Sequence, residues 1–218
     1  MNDFEKLWRN KIIHHTKIVT NNKLKNEIKK IEDLNPVSYS NKIINVLKDN
    51  TDDTHIKEIF ESSACHLPHI KLERAKSVYK KTKSIVEARN QLEKEFIVDI
   101  KFYKDLNDNQ LEFIIKNGWG LAGVYKDGKI IATKVPSQFH EYFETNNTLK
   151  KKYFYCHCPR VKKLLLNKDV DFDSIYCHCG GGFYKDVWEY ITDSNVSIRI
   201  ISNLFKGDNL CQFEISFK

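Results

Sequence analysis

The chain has 218 residues, a mass of 25.7 kDa and a formal net charge of +7, with 41% hydrophobic and 30% charged residues and a mean hydropathy of −0.53. That apolar content excludes a disordered polypeptide, and no apolar run approaches the ~20 residues that a membrane-spanning helix needs. Residues 1–100 carry 19 basic against 15 acidic residues and the remainder 17 against 14, so the positive excess is spread evenly rather than gathered into a nucleic-acid footprint.

The first residues, MNDFEKLWRNK, are charged and lack the apolar core of a secretory signal, so a soluble cytoplasmic protein is expected. Helical patterns follow over 3–33, 40–48 and 54–64, punctuated by Asn35-Pro36 and Leu67-Pro68. Leu72, Ala75, Val78, Tyr79, Ile85, Val86, Leu92 and Phe96 recur at steps of three and four, which predicts one amphipathic helix over 70–96. A helix over 108–117 is capped by Asn107 or Asp108 and ended by Asn117-Gly118. Asp127-Gly128, between β-branched runs, predicts a hairpin within 121–135. A helix over 137–147, a strand over 152–156, a helix over 183–192 and strands over 195–205 and 210–217 complete the expectation. The fold class is therefore α+β, a helical N-terminal half packed on an antiparallel sheet. A helical extension over 1–60 and a metal-binding domain over 61–218 are expected to form one integrated domain.

Two residue types are unevenly placed. All eight glycines lie between Gly118 and Gly207, and five of six cysteines lie at or beyond Cys156. Cys156-His157-Cys158 and Cys177-His178-Cys179 duplicate one tripeptide across eighteen intervening residues. In a reducing compartment such thiols are metal ligands, small buried hydrophobes or redox groups. Thiolates suit zinc, and residues i and i+2 of a strand share a face, so each tripeptide offers two sulfurs and turns its histidine away. Zinc is preferred to an iron–sulfur cluster because the spacing does not match the ferredoxin runs. Gly180-Gly181-Gly182 reads as a tight corner before a helix, with an anion-binding turn as the alternative.

The run Val196 to Ile215, with Gly207-Asp208 and Cys211, resembles the last hairpin of four-vinyl-reductase domains and of the L-2-amino-thiazoline-4-carboxylic acid hydrolases. Together with the paired tripeptides and the segment Gly182 to Glu189, the pattern is similar to a bacterial cysteine-rich family of that superfamily, over roughly 63–217. The resemblance implies a four-vinyl-reductase-like fold enclosing an apolar small-molecule pocket. It also implies a zinc site in which Cys177 and Cys211 match the first and last ligands. The two intermediate ligand positions fall on Ile200 and Asn203, which cannot serve, so Cys158, Cys156 and Cys179 are the natural replacements.

Cys65 and His66 are the candidate catalytic pair, since an imidazole can activate a neighbouring thiol. Trp119, flanked by glycines, is expected in the core. The functional expectation is a zinc-binding protein with a small-molecule pocket, hydrolytic towards a C–N bond of a small heterocycle if the metal keeps an open position. A non-enzymatic ligand-binding module with a structural metal is the alternative.

Overall fold

Short polar side chains decide where the first helices begin. The computed structural model describes residues 3–218 except 33, 105, 107 and 170, with the side chains of 101–104 also outside the description. Helix α1 (Asp3–Val19) is followed by α2 (Asn22–Lys29), α3 (Pro36–Asn50) and α4 (Asp53–Ser62). Asn21 accepts from the Leu24 amide at 2.9 Å, Asn35 from Ser38 at 3.0 Å, and Asp52 from Thr54 and His55 at 2.8 and 3.0 Å. Each such cap contributes about 1 kcal/mol. Asn21 has an extended backbone, which divides the helix expected over 3–33. The four helices bury Trp8, Ile12, Ile28, Ile43, Leu47, Ile56 and Phe60 in one cluster that also takes in Val161, Phe172, Ile175 and Tyr176. Residues 1–60 therefore share a core with a segment more than a hundred residues away.

The helix expected over 70–96 is two helices. After a 3-10 turn over His69–Leu72, α5 (Glu73–Thr82) stops at Lys83, whose φ of 56° is left-handed, and α6 (Ile85–Lys104) starts anew. The Ser84 hydroxyl accepts from the Glu87 amide at 3.2 Å and helps start it. Continuous periodicity hid the break, because Leu72, Ala75, Ala88 and Leu92 enter the same core cluster from both helices. Helix α7 (Asp108–Lys116) closes at Gly118; the proposed cap Asn107 lies outside the described residues. Strands β1 (Val124–Lys126) and β2 (Lys129–Thr133) form the expected hairpin, with Asp127 at φ 51° and Gly128 at φ 77°, the pair of positive angles a type I′ turn requires. Trp119 is buried among Phe113, Tyr142, Phe143 and Tyr155.

Two further expectations change. Helix α8 (Phe139–Glu144) is followed by a second helix, α9 (Thr148–Tyr155), where a strand was expected. Asn147 caps α9 by accepting from Lys150 at 3.0 Å, and Tyr155 is its buried residue. The glycine triplet does not precede a helix but lies inside one: a 3-10 turn over Ser174–Cys177 runs directly into α10 (His178–Thr192). A Cβ at Gly182 would stand 1.9 Å from the Glu61 carbonyl oxygen, so the triplet brings the α10 backbone against that of α4.

Helix α10 lies on the sheet, whose strands run β1-β2-β4-β3, all antiparallel, with β3 (Val196–Ser202) and β4 (Gln212–Phe217) as the closing hairpin. Ile130, Ile215 and Ile198 stand in register as one row, and Ala132, Phe213 and Ile200 as the next. Tyr184, Val187, Trp188 and Ile191 of α10 join the same cluster. This is an α+β architecture with an antiparallel sheet, as expected. Along its other flank, α10 runs beside residues 61–76 at a constant offset. Glu61 meets His178, His69 meets Asp186, Glu73 meets Tyr190 and Lys76 meets Asp193, each pair 117 residues apart. A fixed offset means the two segments run in the same direction.

Candidate metal centre

The thiols are carried by three separate pieces of chain. Cys156 caps the C-terminus of α9, with Cys158 two residues on. Cys177 ends the 3-10 turn, Cys179 lies in the first turn of α10, and Cys211 immediately precedes β4. Neither tripeptide is in a strand. Residues i and i+2 of a helix point to nearly opposite sides, so Cys177 and Cys179 do not present two sulfurs from one face. Their surroundings differ accordingly. The Cys177 thiol is pushed well up by burial and then by Cys211, Cys156 and Cys158. The Cys179 thiol is pushed up to about 11 by burial, then by Cys158 and Cys65. Cys156 rises to about 12 through burial, Cys158 and Cys211, and Cys211 rises through burial, opposed by Lys134. These residues keep some exposed surface, but protein atoms crowd their sulfurs, and burial leads every shift.

Cys156, Cys158, Cys177 and Cys211 thus share one electrostatic neighbourhood, with Cys179 reaching from Cys158 towards Cys65. The backbone around Cys211 is held from both sides. Its amide donates to the Tyr155 hydroxyl at 3.0 Å, and its carbonyl accepts from the Lys134 amide at 3.0 Å. Cys158 Sγ lies 3.6 Å from the Tyr176 hydroxyl. Arg160 is buried, stacks 4.0 Å over Trp8, and donates Nε to Glu5 at 2.8 Å, while its Nη2 has no hydrogen-bond partner. Its charge acts on Cys179 and Tyr176. Two cations, Arg160 and Lys134, therefore flank the thiols. Among the described residues no group of three or more His, Cys, Asp or Glu side chains is arranged to hold a metal ion.

The tripeptide histidines have other partners. His157 Nε2 donates to the Val135 carbonyl, and His178 Nδ1 lies 2.9 Å from Glu61 Oε1. The candidate catalytic residues lie at the surface beside the start of α5. Cys65 is exposed, and His66 Nδ1 lies 3.0 Å from Asp186 Oδ1, a carboxylate that His69 also reaches at 3.1 Å. Asp186 and Glu61 escaped sequence reading because their partners lie 117 or more residues away. Ile200 sits in the β3 row opposite Phe213, and Asn203 caps the following turn. No family model, curated protein or solved structure matches the chain. No helix among the described residues is long and apolar enough to cross a membrane.

Proposed function

We propose that Cys156, Cys158, Cys177 and Cys211 bind one zinc ion, and that this metal is structural. The observation that supports the reading is the gathering of four thiols from three separate chain segments into one crowded, cation-flanked neighbourhood. Four thiolates around a divalent ion leave a net charge of −2, and Arg160 and Lys134 offset it. Zinc suits the donor set: it favours thiolates, and it stabilises the deprotonated form that burial and mutual repulsion here oppose. Binding would clip the end of α9, the start of α10 and the start of β4 together. Cys179 is the fifth thiol and is assigned no place in the set, because its neighbours are Cys158 and Cys65.

The same reading takes α10 with the β3–β4 hairpin as a four-vinyl-reductase-like unit, Cys177 opening the helix and Cys211 opening the last strand. Four thiolates close a tetrahedral ion to water, which favours a ligand-binding module over a hydrolase acting on a heterocyclic C–N bond. The hydrolytic alternative requires an open position and a role for Cys65 or His66. Cys65 is exposed, a setting that gives its thiolate no shelter from water. Metal analysis of anaerobically purified protein tests the proposal. One zinc per chain, a colourless spectrum and a Cys177→Ser variant that loses metal to a chelator are expected. A metal-free protein whose stability is unchanged by zinc and by Cys177→Ser would overturn it, and a visible chromophore would point to an iron–sulfur cluster instead.

A further inference from the structure

A cleft of about 410 Å³ opens between α4, the start of α10 and the edge strand β3. Its wall carries four Lys or Arg side chains, Lys48, Lys57, Arg199 and Lys206, against two carboxylates, Asp53 and Asp173. Two of those cations are already used. Lys48 pairs with Asp173, and the Arg199 guanidinium lies on Glu214 at 2.7 and 3.1 Å. Lys57 and Lys206 have no ion pair among the described residues. The same wall holds Asn203, 1% exposed. Its Oδ1 accepts from the Phe205 and Lys206 amides at 2.9 and 3.1 Å, which fixes the orientation of the side-chain amide. The Nδ2 left over is a buried donor without a partner. An unmet buried donor costs about 1–3 kcal/mol, and an acceptor oxygen entering from the cleft would meet it. Ile198 and Ile200 give the same cleft an apolar strip.

We infer that this cleft binds a phosphomonoester of a small organic molecule. Two ammonium groups outside any close ion pair, Lys206 also acting on Asp173 from a distance, and one amide donor are separate point donors, which suit a phosphate with several acceptor oxygens. The planar fork that would favour a carboxylate belongs to Arg199 and is occupied by Glu214. The apolar strip accommodates the organic part, and the cleft is far larger than a phosphate alone requires. The inference does not rest on the thiol centre, so metal content and phosphate binding are read separately.

Calorimetric titration of the protein as purified tests it, with phenyl phosphate, inorganic phosphate and benzoate as probes. One phenyl phosphate site per chain is expected, tighter than inorganic phosphate and than benzoate. Lys57→Gln and Lys206→Gln should each weaken it about tenfold, the loss expected for a hydrogen bond to a charged group. Lys126→Gln, a charge-matched change in β1, should leave it unaltered. Circular dichroism of both cleft variants distinguishes lost contact from lost folding. Absence of phenyl phosphate binding at millimolar concentration, equal weakening by all three substitutions, or tighter binding of benzoate would overturn the inference.

Discussion

Single side chains carry the chemistry of this protein, and most are defined by what surrounds them. The Cys156 thiol, pushed up to about 12, and the Cys177 thiol, pushed well up by burial, are neutral at pH 7. Metal uptake must therefore displace protons, about four for a complete set of thiolates. Zinc titrations in buffers of different ionisation enthalpy should show this release, and affinity should rise with pH; uptake without proton release would contradict the ligand assignment. On the outer face of the sheet, hydrogen bonds from Arg199 and Lys129 hold Glu214 down to about 2. Its folded form is more acidic than its unfolded one, so its contribution is present above pH about 4.5 and lost as the pH falls from there towards about 2. Glu214→Gln should flatten that part of an acid-unfolding curve. Because Arg199 and Lys129 are largely exposed, solvent screening keeps the effect modest.

At the scale of elements, backbone conformation decides more than side-chain character. Lys83 occupies the left-handed region at φ 56°, a position where a non-glycine residue costs about 1 kcal/mol or more. Lys83→Gly should raise stability by up to about 1 kcal/mol in a denaturant titration. Gly182→Ala sets two effects against each other. Alanine gains about 1 kcal/mol in helix propensity. However, its Cβ would overlap the Glu61 carbonyl, a backbone atom that cannot swing aside. Overpacking costs about 1–3 kcal/mol, so the substitution should destabilise, and a higher melting temperature would show that α4 and α10 can separate freely. The hairpin at Asp127-Gly128 was legible because a type I′ turn demands positive φ at two consecutive residues and those residues provide it. Helix α9 was misread as a strand although Asn147 stands at its cap. Beyond Leu149 its apolar residues, Tyr153, Phe154 and Tyr155, form one consecutive run, which masks the single i, i+4 step from Leu149 to Tyr153.

For the whole molecule, the organising contacts are long-range and leave little trace in the sequence. The thiols were legible as a set, since the repeated tripeptide marks them, but their placement depends on how α9, α10 and β4 meet. The second tripeptide is not the expected two-sulfur strand, because Cys177 and Cys179 straddle the start of a helix, while Cys156 of the first leaves α9 with an extended backbone. The alignment of residues 61–76 with α10, which takes His66 to Asp186 and His178 to Glu61, follows from packing that no local spacing announces. The buried group of Glu5, Arg9 and Arg160 is another such contact, joining α1 to the loop after Cys158 at 2.8–2.9 Å. Removing Glu5 would take from the buried Arg160 guanidinium the carboxylate it donates to, so Glu5→Ala should cost about 3–5 kcal/mol in chemical denaturation. A near-neutral result would mean that α1 does not share the core of the second half.

The central claim is that four particular thiols belong to one zinc ion. Mass-resolved alkylation of the native protein, with and without zinc, tests it residue by residue. Zinc should protect Cys156, Cys158, Cys177 and Cys211 together while Cys65, the exposed thiol, stays reactive. Equal labelling of all six cysteines with and without the metal would contradict the account.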